Sequence, residues 1–180
     1  MKKLIALVMI LVLAAGIALA EQEAVTFDDK NPGYEGKWTE LKDANLKFYL
    51  PTGYAPTPGY VAKTSENGVY TGLYMSPDLN TTFSLSRTPI TSIPDSTSAP
   101  TLSSMLEMYK MSGNEDAAIM NMNGTDWVIS SEAEQGSISC TTIDQDVIYT
   151  VTFVTMKEDD REERMALGQQ FIRSLTLLKK

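Results

Sequence analysis

Apolar and polar residues alternate along several stretches of the chain. Leu46, Phe48 and Leu50 are apolar and are separated by Lys47 and Tyr49, the period-two signature of a half-buried strand. Pro51 has no amide hydrogen and ends that ladder, so the following "TGYAP" turns a corner. Tyr60 to Ser65 and Val69 to Ser76 flank Glu66-Asn67-Gly68 and predict a hairpin. Pro77-Asp78 turns the chain again. Thr82 to Thr88 predicts a strand with Phe83 and Leu85 on one face and Ser84 and Ser86 on the other. Pro89 to Pro100 is rich in Pro, Ser and Thr, has no period and predicts a surface loop.

Helical spacing first appears after that loop. Leu102, Met105, Leu106 and Tyr109 fall on one face of a helix predicted from Leu102 to Ser112 and stopped by Gly113-Asn114. A meander follows. Ala117 to Met122 and Asp126 to Glu132 flank Asn123-Gly124, the strongest local turn signal in the chain. Ser137 to Ile143 and Val147 to Met156 are joined through Asp144-Gln145-Asp146. In the last strand Val147, Tyr149, Val151 and Phe153 form an apolar face. The opposite face is mixed, with Thr150 and Thr152 between Ile148 and Val154. Its length and β-branched content favour a central position. A closing helix is predicted from about Arg161 to Leu175. Asp159 and Asp160 stand at its positive end, and Met165, Gly168, Phe171, Ile172 and Leu175 form its buried stripe. The order strands, helix, strands, helix predicts an α+β fold: a single antiparallel sheet of about six to seven strands with two main helices packed on it.

The N-terminal 20 residues have a different pattern. Lys2 and Lys3 precede an apolar run from Leu4 that ends in Ala18-Leu19-Ala20, a small-x-small cleavage pattern. This predicts a secretory signal over residues 1–20, cut after Ala20, and a secreted, periplasmic or cell-surface protein. The run of 17 apolar residues is at the short edge of a membrane span, so an uncleaved anchor is the alternative. Residues 21–36, with acidic residues and Asn31-Pro32-Gly33, predict an arm or linker. Residues 37–180 are expected to form one domain.

Composition then narrows the chemistry. Without Lys2 and Lys3 there are 13 basic residues against 23 acidic ones, a balance of −10. An acidic chain with no basic cluster argues against nucleic acid and anionic membranes as partners. Stable membrane insertion after signal cleavage is not expected either. The chain has no histidine, which excludes Ser-His-Asp and Cys-His catalysis and histidine-based zinc sites. The one cysteine, Cys140, shares a strand face with Ile138 and Thr142 and is expected to be a small buried filler. Neither Ser-x-x-Lys nor Gly-x-Ser-x-Gly occurs.

From Asn45 onward, "LKFYLPTGY", a hairpin, a helix, "NMNGTDWVIS", the strand "DVIYTVTFV" and a closing "FIRSLTLL" follow one another. In this order of weak motifs, which spans most of the chain after the signal, the sequence resembles the PsbP-like and DcrB-like extracytoplasmic proteins. The resemblance implies an α+β fold and a small, non-enzymatic accessory or binding subunit. The best-known member is an extrinsic photosystem subunit, but no transit signal or partner-binding arm of that kind can be matched. No site residue carries over.

The remaining candidates are weaker than their ordinary structural explanations. Asp126 beside Trp127 is expected at the wet start of a strand, with the indole in the core. Asp144-x-Asp146 and Asn121-x-Asn123-Gly124 are partial calcium-loop patterns but fit turn chemistry better. Met105, Met108, Met111, Met120 and Met122 invite a Cu(I) reading, yet Met also fills irregular gaps between helix and sheet. No cofactor, metal or catalytic residue is expected. Tyr34, Tyr54 and Tyr60 lie in or beside loops and are the predicted binding residues, since tyrosine offers a rigid apolar face with a polar tip. The expected function is a non-catalytic accessory protein that engages another extracytoplasmic protein or an envelope component. A small-ligand or metal binder is the alternative, and a hydrolase working with carboxylates alone is a more distant one.

Overall fold

In a computed structural model, residues 24–57, 60, 63–93 and 99–178 are described. The signal segment read at residues 1–20 lies outside them, as does part of the loop that carries "PTPGY". Among the described residues no helix is long and apolar enough to cross a membrane.

The strand from Val147 to Thr155 (β10) lies at the centre of the main sheet, as its β-branched run predicts. It pairs antiparallel with Thr81–Pro89 (β6) on one side and with Ser137–Asp144 (β9) on the other. Beyond β6 lies Tyr70–Met75 (β5), flanked by the short strands Ala55–Pro56 (β3) and Lys63–Thr64 (β4). Beyond β9 lie Thr125–Glu132 (β8) and then Ala118–Met122 (β7) at the edge. The hairpin turns fit their residues. Asn123 and Gly124, and likewise Gln145 and Asp146, have positive φ at both central positions, as the tight turns that follow strand twist require.

Three remaining strands form a second, smaller sheet. Leu46–Pro51 (β2) pairs with Gly36–Leu41 (β1) and with Thr176–Leu177 (β11), not with the main sheet. The α+β class, the seven-strand antiparallel path and the two helices agree with the sequence reading, and this small sheet is an addition to it. Its formation is non-local: β11 is supplied by the last residues of the chain, which no periodicity in β2 announces.

The helices lie on opposite faces of the main sheet. Helix Arg161–Arg173 (α2) joins the small sheet over one face, where Phe48, Phe83, Phe153, Phe171, Val151, Ile138 and Trp127 are fully or almost fully buried. Phe83 is central, with Tyr74 stacked at 4.8 Å, Phe171 at 4.3 Å and Phe48 edge-on at 5.8 Å. Gly168 allows α2 to approach: a Cβ there would sit 2.5 Å from the Phe153 ring. Helix Leu102–Met111 (α1) lies on the other face over β7 and β8. It starts with a reciprocal cap between Thr101 and Ser104, buries Met105 and places the Tyr109 hydroxyl 3.2 Å from Thr141 Oγ1.

Candidate functional site

The three tyrosines singled out from the sequence occupy different places. Tyr34 precedes β1 and lies against the outer face of the small sheet. Its ring centroid is 5.5 Å from that of Tyr49, and its hydroxyl donates to the Tyr49 carbonyl at 2.7 Å. Burial raises its phenol well above the ordinary range. Tyr54 follows β2, is half-buried and stacks on Phe83 at 5.6 Å, beside the core. Burial pushes its phenol up as well. Tyr60 is 62% exposed. Among the described residues no ring contact links the three.

Around Tyr34 there is an aromatic cluster that the sequence reading did not assemble. Trp38 on β1 and Tyr49 on β2 are directly paired across the ladder, on the face turned away from the core, and their rings meet edge-on at 5.5 Å. Phe27 packs on both, at 5.6 Å from Trp38 and 5.7 Å from Tyr49. The Lys47 ammonium lies 4.6 Å from the Trp38 ring and 3.7 Å from Glu40. Trp38 remains 37% exposed at the outside of this group, a large apolar side chain left facing solvent. One signal was legible: Lys47 and Tyr49 alternate with Leu46, Phe48 and Leu50, so they had to face outward. The partner was not, because only the register of β1 brings Trp38 opposite Tyr49.

The cluster is held firmly from behind. The Tyr49 amide donates to Ser174 Oγ at 2.9 Å, and Ser174 Oγ in turn donates to the Phe171 carbonyl, so the end of α2 is tied to β2. Asn123 in the β7–β8 turn accepts from the Phe27 amide and donates to the Arg173 and Leu175 carbonyls. Val25 bridges to Met122, so residues around Phe27 are docked on the domain.

The other candidates resolve as follows. Trp127 is fully buried and Asp126 is exposed, as read. Cys140 is buried, and desolvation pushes its thiol far above the reactive range. Met105 and Met122 are buried, whereas Met108 and Met111 are exposed. Among the described residues no group of three or more His, Cys, Asp or Glu side chains gathers. Asp78 is held well below the usual carboxylate range, chiefly by Arg164 and then by Ser76, the opposite of what a general acid needs. Arg164 grips both oxygens of Asp78 and also donates to Thr81 at 2.8 Å, so this trio ties α2 to the β5–β6 turn.

Comparison with known proteins places the fold alone. No family model matches the chain, and no curated protein matches it. Among solved structures, the solution structure of cyanobacterial PsbP (CyanoP) from Synechocystis sp. PCC 6803 superposes with a TM-score of 0.51 at 14% identity, covering 77% of this chain and 89% of that one. The PsbP-like architecture implied by the sequence motifs is therefore the architecture observed.

Proposed function

We propose that this protein is a non-catalytic, exported accessory module that engages a partner protein through the aromatic face of its small sheet. The observation that supports this best is Trp38. An exposed indole backed by Phe27, Tyr49 and Tyr34, on strands tied to α2, is a preorganised anchor of the kind that dominates protein interfaces. The surrounding Lys47 and Glu40 supply a polar rim. Tyr60 offers a second exposed ring. Tyr34 acts from beneath the patch, and Tyr54 acts through the loop it anchors on Phe83. Export rests on the N-terminal basic-apolar-small pattern, and the absence of histidine argues against the commonest hydrolytic machinery.

The test is site-specific photocrosslinking in the native host. A benzoylphenylalanine at Trp38 is expected to capture a discrete partner. The same probe at Leu79, which is 64% exposed and remote in sequence from the patch, is expected to capture none. Trp38→Ala should weaken binding to that partner at least tenfold, about 1.4 kcal/mol. Equal capture from both positions, or none from Trp38, overturns the proposal.

A further inference from the structure

The small sheet has an open edge, and the bonds behind it fix which way its backbone points. In an antiparallel ladder, opposed residues alternate between two kinds of pair. In one the two residues exchange backbone hydrogen bonds, and in the other their N–H and C=O groups point away from each other. Trp38 and Tyr49 are opposed. The Tyr49 amide donates to Ser174 Oγ and its carbonyl accepts from the Tyr34 hydroxyl, so both groups are turned away from β1. The step before the ladder agrees. The Thr52 amide donates to the Glu35 carbonyl at 2.9 Å, so by alternation Lys37, Thr39 and Leu41 are the residues bonded to β2. The amides and carbonyls of Gly36, Trp38 and Glu40 therefore face the side of β1 on which no strand lies. Among the described residues nothing bonds to them.

An open edge invites another strand, and sheets ordinarily blunt theirs. The other edges of this molecule are blunted. β7 takes Val25 between Asn121 and Asn123 at one end. The opposite edge of the main sheet is broken into the two-residue strands β3 and β4, and β3 contains Pro56. β11 is two residues long. β1 runs for six residues with no proline and an unbroken register. Lys37, the charge that could guard it, alternates with Trp38 and so lies on the other face of the ladder. The open backbone also belongs to the residue that carries the exposed indole. Beside it, a Cβ on Gly36 would stand 2.8 Å from the Tyr49 ring, so that ring reaches across Gly36. On the other side of Trp38, Glu40 keeps 48% of its side chain exposed although Lys47 is 3.7 Å away.

We propose that the partner protein docks by adding an extended segment, antiparallel, to the open edge of β1. The inference rests on the partner-protein reading above and gives the partner a chemistry. In strand addition the main chain supplies affinity and alternate side chains supply specificity. The added strand would run about 4.8 Å from β1. Its alternate residues would stand opposite Glu40, Trp38 and Gly36, on the outer face. A cation suits Glu40, and apolar side chains suit the indole and the Tyr49 ring beside Gly36. In the segment's own N-to-C order the pattern is basic-x-apolar-x-apolar. A second copy of this chain fits less well. Outward groups pair only with outward groups, so self-pairing within β1 sets Gly36, Trp38 or another Glu40 opposite Glu40, never a cation. Two chains of formal net charge −8 also repel each other.

The experiment pans a display library of random twelve-residue peptides on the full chain, expressed for export. Peptides held by wild type and released by Trp38→Ala are kept, and their affinities are measured by fluorescence anisotropy. They are expected to share the basic-x-apolar-x-apolar pattern. Glu40→Pro removes an outward amide and spares the β1–β2 ladder, since an edge strand tolerates proline where its N–H faced solvent. It should weaken binding at least tenfold beyond Glu40→Ala, with the two variants melting alike. Methylating the peptide's amides one at a time gives a second readout that depends on no variant's folding. Losses of at least tenfold should recur at every second residue. The proposal is overturned if no Trp38-dependent peptide is recovered, or if methylation shows no period of two. If Trp38→Ala abolishes binding while Glu40→Pro matches Glu40→Ala, strand addition is overturned and the aromatic-face reading stands. If the photoprobe at Trp38 captures no partner, both fall. A dimer in light scattering that Glu40→Pro dissolves overturns the proposal in favour of self-pairing.

Discussion

The two faces of the main sheet are built from the same strands, residue by alternate residue, and yet they differ: the front is lined by buried aromatic and aliphatic side chains, and the back mixes Ser and Thr with Leu73, Ile143, Ile148 and Val154. On β6, Phe83 and Leu85 point into the core while Ser84 and Ser86 point away; on β10, Val151 and Phe153 oppose Thr150 and Thr152. The front face is closed by α2 and the small sheet. Among the described residues, the helix on the back face is α1, over β7 and β8. Stability should therefore be concentrated on the front face.

The largest test of that contrast is Phe83→Ala. Phe83 is fully buried and touches Tyr54, Tyr74, Phe48 and Phe171. Truncation should cost about 3–5 kcal/mol in denaturant unfolding. A loss under 1 kcal/mol would mean that the front face is not the tightly packed core described. Gly168→Ala should come next, at about 1–3 kcal/mol. The new methyl would stand 2.5 Å from the Phe153 ring, and neither α2 nor the central strand can move aside cheaply. An unchanged melting midpoint would show that α2 is not pressed on the sheet.

The Asp78–Arg164 pair at the edge of the front face should matter less. Asp78 has 40% of its side chain exposed, and exposed pairs contribute about 1 kcal/mol at most. Its pKa in the folded state is depressed, mainly by Arg164, so its contribution is present above the unfolded value near 3.9 and is lost as pH falls below it. Asp78→Asn should remove up to about 1 kcal/mol at pH 7 and flatten the acid limb of the stability curve below about pH 4. Equal acid sensitivity in both proteins would remove the pair from the account.

What could be read from the sequence follows from the range of the forces involved. Period-two patterns, helical spacing and Asn-Gly turns are local, and they placed β6, β8, β9, β10 and both helices to within one or two residues of the observed boundaries. The outward direction of Lys47 and Tyr49 was legible for the same reason. The small sheet was not, because β2 finds partners at residues 36–41 and 176–177, and register between distant segments leaves no periodic trace. Trp38 was therefore missed as the centre of the aromatic patch, while Tyr34 was found without its neighbours. Likewise Ser84, Ser86, Thr150 and Thr152 could be assigned to one side of their own strands. That they line up in rows depends on the pairing of β6 with β10 and of β10 with β9.

The smallest expected effect is the most informative about the contrast itself. Thr150→Val/Thr152→Val removes two back-face hydroxyls together with their contacts to Thr141 and Ser139. Ser139 is half-buried and its hydroxyl can turn to water, and Thr141, which is buried, keeps the Tyr109 hydroxyl at 3.2 Å, so no buried group is orphaned. Valine keeps the branched shape and is itself enriched in strands. The two changes should therefore shift unfolding by no more than about 0.5 kcal/mol, in either direction, as at ordinary surface positions. A loss of 2 kcal/mol or more would mean that the hydroxyl rows are part of the structural core, and the difference between the faces would then be one of polarity alone. A neutral result separates the two roles. The aromatic face holds the sheet together, and the back-face hydroxyls stand at positions where stability does not require them.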